Sequence, residues 1–106
     1  MNPAVKPPEQ VLIVGCGDIG RRVARLWQAQ NVPVTGLARH SAPLSEAGVP
    51  ALEADLDDPA TLTALPAEGA LVFYFAPPPP RGDQDPRMQH FLQALNQQGA
   101  RPQRMV

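Results

Sequence analysis

The run Val11-Leu12-Ile13-Val14, leading straight into Gly15-Cys16-Gly17-Asp18-Ile19-Gly20, limits the fold of this chain more than any other stretch. Four consecutive apolar residues suit a strand buried on both faces of a parallel sheet. The G-x-G-x-x-G spacing next to it, with a helical pattern behind, is a strand–turn–helix whose glycines have separate physical tasks. Gly15 allows the tight turn out of the strand. Gly17 lets the backbone approach a pyrophosphate with no Cβ in the way, and Gly20 lets the helix pack closely on the strand. The helix start then offers N–H groups and the positive end of its dipole to phosphates. A glycine-rich turn that binds nothing would carry the same glycines, but the flanking strand and helix patterns argue for the phosphate reading.

Length and charge narrow the function classes. At 106 residues the chain is one small domain or part of a larger one, and 43% hydrophobic residues suffice for a core. A net charge of −1 argues against nucleic acid or a membrane surface as partner through bulk electrostatics. Arg21, Arg22 and Arg25 belong to one helix face and read as a solvated edge. Cys16 is the only cysteine, which rules out an internal disulfide and fits a reducing cytosol. The first residues lack an apolar leader pattern, and no apolar run is long enough to span a bilayer. The expected compartment is cytoplasmic. The 14 prolines exceed the usual share of about 5%, yet most fall between predicted elements and stiffen loops.

Along the chain, residues 1–9 read as a disordered lead-in and 10–106 as the folded domain. Ile19, Val23, Leu26 and Trp27 recur at helical spacing and predict a helix over 20–30 with those residues on its core face. Strands are predicted at 32–38, 51–56 and 71–76, with a short helix or turn at 43–47. Asp58-Pro59 and Asp85-Pro86 each read as an N-cap with proline at the first helical position. The first predicts a helix through Leu65. The second opens one marked by Met88, Phe91, Leu92 and Leu95 and ended by Gly99. Arg104-Met105-Val106 reads as the opening of a fifth strand, where the chain stops. Strands alternating with helices imply an α/β, Rossmann-like, doubly wound parallel sheet, here expected to be truncated as that strand begins.

In such a sheet the ligand lies across the carboxyl ends of the strands. After the second strand stand Arg39, His40 and Ser41, where an NAD-preferring site usually carries an acid. Arg39 instead suits a 2′-phosphate, with Ser41 as a second donor, and so predicts NADP over NAD; the alternative is an exposed surface arginine. His40 reads as a turn residue. Asp55, ending the third strand, is placed to accept from an adenine amino group, or is a plain loop acid. Asp57 reads as solvated and Asp58 as a helix cap. The fourth strand runs into Ala76 and the tetraproline beginning at Pro77, which would let a ribose lie against small residues. The prolines could equally serve as a ligand for an aromatic groove. Cys16 reads as a small filler in the turn rather than a redox centre.

Taken together, V-L-I-V-G-C-G-D-I-G-R-R-V-A-R-L, A-R-H-S, E-A-D-L-D-D and F-Y-F-A-P-P-P-P resemble the atypical extended short-chain dehydrogenase/reductases, the NAD-dependent epimerase/dehydratase-like group. The resemblance covers residues 10–106 and the N-terminal half of that family's cofactor domain. It implies NAD(P) held by Gly15, Cys16, Gly17, Asp18, Ile19 and Gly20, with Arg39 choosing the phosphate. It also implies Asp55 and Leu56 at the adenine, and Ala76 and Pro77 beside the nicotinamide-side ribose. The family's catalytic Tyr-x-x-x-Lys follows its fifth strand, beyond Val106. Tyr74 and Lys6 are the only tyrosine and lysine here and stand in the wrong order for it. No catalytic or metal-binding residue is therefore expected in this chain. Expected partners are the dinucleotide and a small-molecule substrate that the sequence does not name, with a homodimer left open. An alternative function is a non-catalytic NAD(P)-sensing module, and a third reading is a truncated product with no stable fold.

Overall fold

A computed structural model of the chain describes residues 8–15, 17–76 and 85–106. Cys16, Pro77 with the rest of the tetraproline, and most of the lead-in lie outside the described residues. The elements run β1 (Gln10–Val14), α1 (Asp18–Gln28), β2 (Val34–Ala38), α2 (Ala42–Glu46), β3 (Ala51–Glu53), a 3₁₀ turn (Pro59–Thr61), β4 (Ala70–Tyr74), α3 (Pro86–Gln98) and β5 (Arg104–Met105). The strands form one sheet in the order β3-β2-β1-β4-β5, and every pairing is parallel. This is the Rossmann-like doubly wound arrangement, with the strand order reversing direction between β1 and β4.

The apolar run of β1 sits at the centre, and Val11, Leu12, Ile13 and Val14 are each at most 1% exposed. Full burial of such a side chain is worth about 1.5–3 kcal/mol. Alternate residues feed two cores. Leu12 and Val14 join Val72, Phe91 and Leu95 on the α3 side. Val11 and Ile13 join Ala24, Val34, Leu44 and Val49 on the side of α1 and α2.

Several element ends differ from the sequence reading, each for a local reason. The third strand leaves the sheet after Glu53 because β2 offers no partner beyond Ala38, whose carbonyl takes the last bond from the Ala54 N–H at 2.9 Å. The fourth ends its pairing likewise once Phe75 N–H has reached the Val14 carbonyl at 2.8 Å and β1 turns away. Val32 belongs to the turn that closes α1, its N–H bonding the Trp27 carbonyl at 3.2 Å. The helix α1 starts at Asp18 and ends at Gln28, two residues earlier at each end than 20–30.

Its core face is also corrected. Ile19 and Leu26 are each 66% exposed, and the sheet is met by buried Gly20 and Ala24 with partly buried Val23 and Trp27. At about 100° per residue, a face centred on these four leaves Ile19 and Leu26 about 100° to one flank. Small residues turned inward bring the helix axis close and rotate the larger two aside. On α3, Phe91 and Leu95 are buried as expected, whereas Leu92 is 46% exposed.

Candidate functional site at the switch point

Where β1 and β4 part company, their ends come very close. Gly15 has φ +80°, and a Cβ built on it would stand 2.6 Å from the Ala76 backbone nitrogen. Glycine is required here twice over, by conformation and by space. Gly17 differs. Its φ of −86° is open to other residues, and among the described residues a Cβ there would meet nothing within 4 Å, so the main chain at 17 borders open space. Gly17 also caps α1 with no side chain, so the helix start has no side-chain cap for its first N–H groups.

A cavity of about 420 Å³ opens at this crevice, within the span of about 300–1,000 Å³ usual for small-molecule sites. Its floor is Gly15, Gly17 and Ala76, its β2 wall Leu37, Ala38 and Arg39, and its β3 wall Ala54, Asp55, Leu56 and Asp57, with Phe75 and Arg87 completing the rim. Six residues predicted from the sequence thus converge: Gly15, Gly17, Arg39, Asp55, Leu56 and Ala76. Asp18, Ile19 and Gly20 do not line it. Asp18 pairs with Arg21 and faces a second, more open groove with Arg22 and Arg25, Ile19 is exposed, and Gly20 is buried under the helix.

The loop after β3 is built by its own hydrogen bonds. Asp55 Oδ1 accepts from the Asp57 N–H at 2.9 Å, so one carboxylate oxygen is spent on the turn. The Thr61 hydroxyl accepts the Asp55 N–H at 2.9 Å and faces the Asp58 carbonyl at 2.7 Å. The Leu56 carbonyl accepts from His90 Nδ1, which must carry its proton on that nitrogen. Arg87, in the first turn of α3, donates from Nε to Asp57 Oδ1 at 3.0 Å and from Nη2 to Asp57 Oδ2 at 3.2 Å. This two-pronged pairing is the strong geometry for a guanidinium and a carboxylate. The Arg87 hydrogen bond holds the Asp57 carboxyl below the usual carboxylate range against an opposing desolvation, and the nearby Arg39 charge acts in the same direction.

Asp57, which the sequence reads as solvated, is instead held in an ion pair, and its partner Arg87 carries no local sequence signal. The signal for Arg87 was positional. In a doubly wound sheet the first turn of each helix lies at the carboxyl ends of the strands, and Arg87 stands two residues past the Asp85 cap. Phe75, stacked on Phe73 at 6.0 Å between ring centres, was hidden inside a predicted strand.

The tyrosine side chain is turned into the core. Tyr74 packs its ring on Phe91 and its buried oxygen has no hydrogen-bond partner among the described residues. Burial, and then the charge of Asp85, push this phenol above its ordinary value. Among the described residues no cluster of three or more His, Cys, Asp or Glu residues could hold a metal ion, and no helix is long and apolar enough to cross a membrane.

No protein-family model matches the chain, and no curated protein matches it. Solved structures do. The chuY protein of Escherichia coli strain CFT073 is 22% identical, with a TM-score of 0.65 over 91% of this chain and 45% of that one. The NADPH-dependent quinone oxidoreductase of Escherichia coli, solved with NADPH, is 20% identical with a TM-score of 0.63, over 86% of this chain and 34% of that one. The Citrobacter triphenylmethane reductase, solved with NADP(H), is 17% identical with a TM-score of 0.63, over the same shares of 86% and 34%. The chain thus spans less than half the length of these structures. At such identities the likeness is one of fold, and what the matched 86% of this chain shares with these reductases is the Rossmann-like parallel sheet.

Proposed function

We propose that this chain binds a nicotinamide dinucleotide at the β1–β4 crevice, with NADP preferred over NAD, and is the cofactor-binding part of an oxidoreductase. The observation that carries the reading is the cavity itself. It joins a glycine turn that admits backbone approach, an uncapped helix start, Arg39 after β2 and Asp55 after β3, in the order a dinucleotide needs them. The pyrophosphate would lie over Gly15 and Gly17, the 2′-phosphate against Arg39, and the adenine beside the remaining Asp55 oxygen and Leu56. Ala76, with Pro77 after it, would border the ribose on the nicotinamide side, while Cys16 and, in the first turn of α1, Asp18, Ile19 and Gly20 would complete the phosphate-binding glycine motif.

When bound, such a cofactor supplies a transferable hydride; this chain's residues bind and orient it. Substrate selection and proton transfer belong to residues outside this chain, as the resemblance to the extended short-chain reductases and the epimerase/dehydratase-like group implies. The cytosolic compartment inferred from the single cysteine fits this role.

Calorimetric titration with NADPH and NADH tests the reading. NADPH is expected to bind more tightly, and Arg39→Asp to weaken NADPH while sparing NADH. Equal losses for both would overturn the NADP preference, and binding of neither to the unsubstituted chain would overturn the site.

A further inference from the structure

The pairing of Asp57 with Arg87 has a bearing on cofactor choice. Both residues line the cavity that Arg39 lines, reached from three different places: the end of β2, the loop after β3 and the first turn of α3. A carboxylate that shares the cavity with Arg39 opposes a phosphate brought to that arginine, by simple charge repulsion. Here both of its oxygens are held by the Arg87 fork, at 3.0 and 3.2 Å. Half exposed, with its side chain 51% accessible, Asp57 without Arg87 would present to the cavity a negative charge that competes with an incoming phosphate for Arg39.

We propose that Arg87 is a specificity-determining residue that acts through Asp57, neutralising a carboxylate that would repel the additional phosphate of NADP. Arg87 exerts this effect without contacting the phosphate, which is the business of Arg39. The proposal rests on the dinucleotide reading above and adds to it the determinant of cofactor choice. It differs from a merely structural tether between α3 and the β3 loop in one respect. A tether serves both cofactors alike, whereas a masked charge discriminates between a ligand with the 2′-phosphate and one without it.

The experiment is a charge cycle: titration of the unsubstituted chain, Arg87→Met, Asp57→Asn and the double variant with NADPH and with NADH, at low and at high salt. Arg87→Met exposes the carboxylate and is expected to weaken NADPH about three- to tenfold while moving NADH less than about twofold, the NADPH loss shrinking as salt screens it. Adding Asp57→Asn to Arg87→Met is expected to restore NADPH affinity to within about twofold of the starting chain. Asp57→Asn alone, which leaves Arg87 in place, should bind NADPH at least as tightly as the starting chain, and this holds the proposal to account even if Arg87→Met does not fold. Equal losses of both cofactors would make Arg87 a tether and overturn the proposal. A double variant as weak toward NADPH as Arg87→Met would make Arg87 a direct phosphate ligand and overturn it too. Binding of neither cofactor by the unsubstituted chain would remove the dinucleotide reading and this proposal with it, whereas binding without rescue would remove the proposal alone.

Discussion

Asp58-Pro59 and Asp85-Pro86 carry the same start signal, yet one opens a three-residue 3₁₀ turn and the other a 13-residue helix. Both aspartates do what an N-cap does. Asp58 accepts from the Ala60 N–H and Asp85 from the Met88 N–H, each at 3.2 Å. The difference lies downstream of each proline. Behind Pro86 the chain carries Phe91 and Leu95 at helical spacing, both buried, and Gly99 closes the helix in the left-handed region at φ 73°. Behind Pro59 come two threonines, and Pro66 leaves too few residues for the helix to propagate. The Thr61 hydroxyl also donates to the Asp58 carbonyl, the acceptor that the first α-helical bond would have used. A cap initiates a helix, but a buried stripe sustains it.

The short turn is consequently held from outside. The Gln98 side chain brackets the Leu65 backbone, donating to its carbonyl and accepting from its N–H, both at 2.7 Å. His90 and Arg87 bind the Leu56 carbonyl and the Asp57 carboxylate. The long helix thus acts as the frame on which the loop after β3 is mounted, from its first turn to its last.

The most severe way to break this contrast is Phe91→Ala, which removes the buried anchor of α3. It should cost about 3–5 kcal/mol in urea unfolding, a large share of the roughly 5–15 kcal/mol typical of a domain. A loss below about 1 kcal/mol would mean that the helix stands without its stripe. Next, Thr61→Val leaves the part-buried Asp55 N–H without its acceptor and should cost about 1–3 kcal/mol. It should weaken dinucleotide binding as well, since Asp55 loses its anchor; an unchanged affinity would detach the turn from the site. The smallest effects come from the caps. Asp85→Ala should cost about 1 kcal/mol, and Asp58→Ala clearly less, because its turn has three residues to lose. Equal costs in thermal melts would contradict the view that capping energy scales with the helix it starts.

What the sequence revealed obeys the same division. Central strands were legible because a continuous apolar run has one stable destination, the middle of a parallel sheet. The glycine turn, Arg39, Asp55 and Ala76 were legible because the carboxyl ends of such strands must share one crevice. The length of β3 was not, since it is set by where its neighbour β2 ends rather than by its own residues. Ile19 and Leu26 were misplaced because hydrophobic spacing marks a stripe without saying which edge of it small residues will draw inward. Asp57 and Arg87 stand 30 residues apart, and no local pattern joins them. Their pairing exists only after the β3 loop and α3 have been brought to the same rim.

The near-contact of Gly15 with Ala76 has a consequence for how such a site diversifies. A gap too narrow for a methyl group is floored by main chain, and main chain looks the same to every ligand. On the dinucleotide reading proposed above, substitutions at 39, 57 and 87 would change which nucleotide is accepted, while a main-chain floor would meet the diphosphate in the same way whatever stands at the rim. The crevice thus has a base set by backbone geometry and a rim set by side chains.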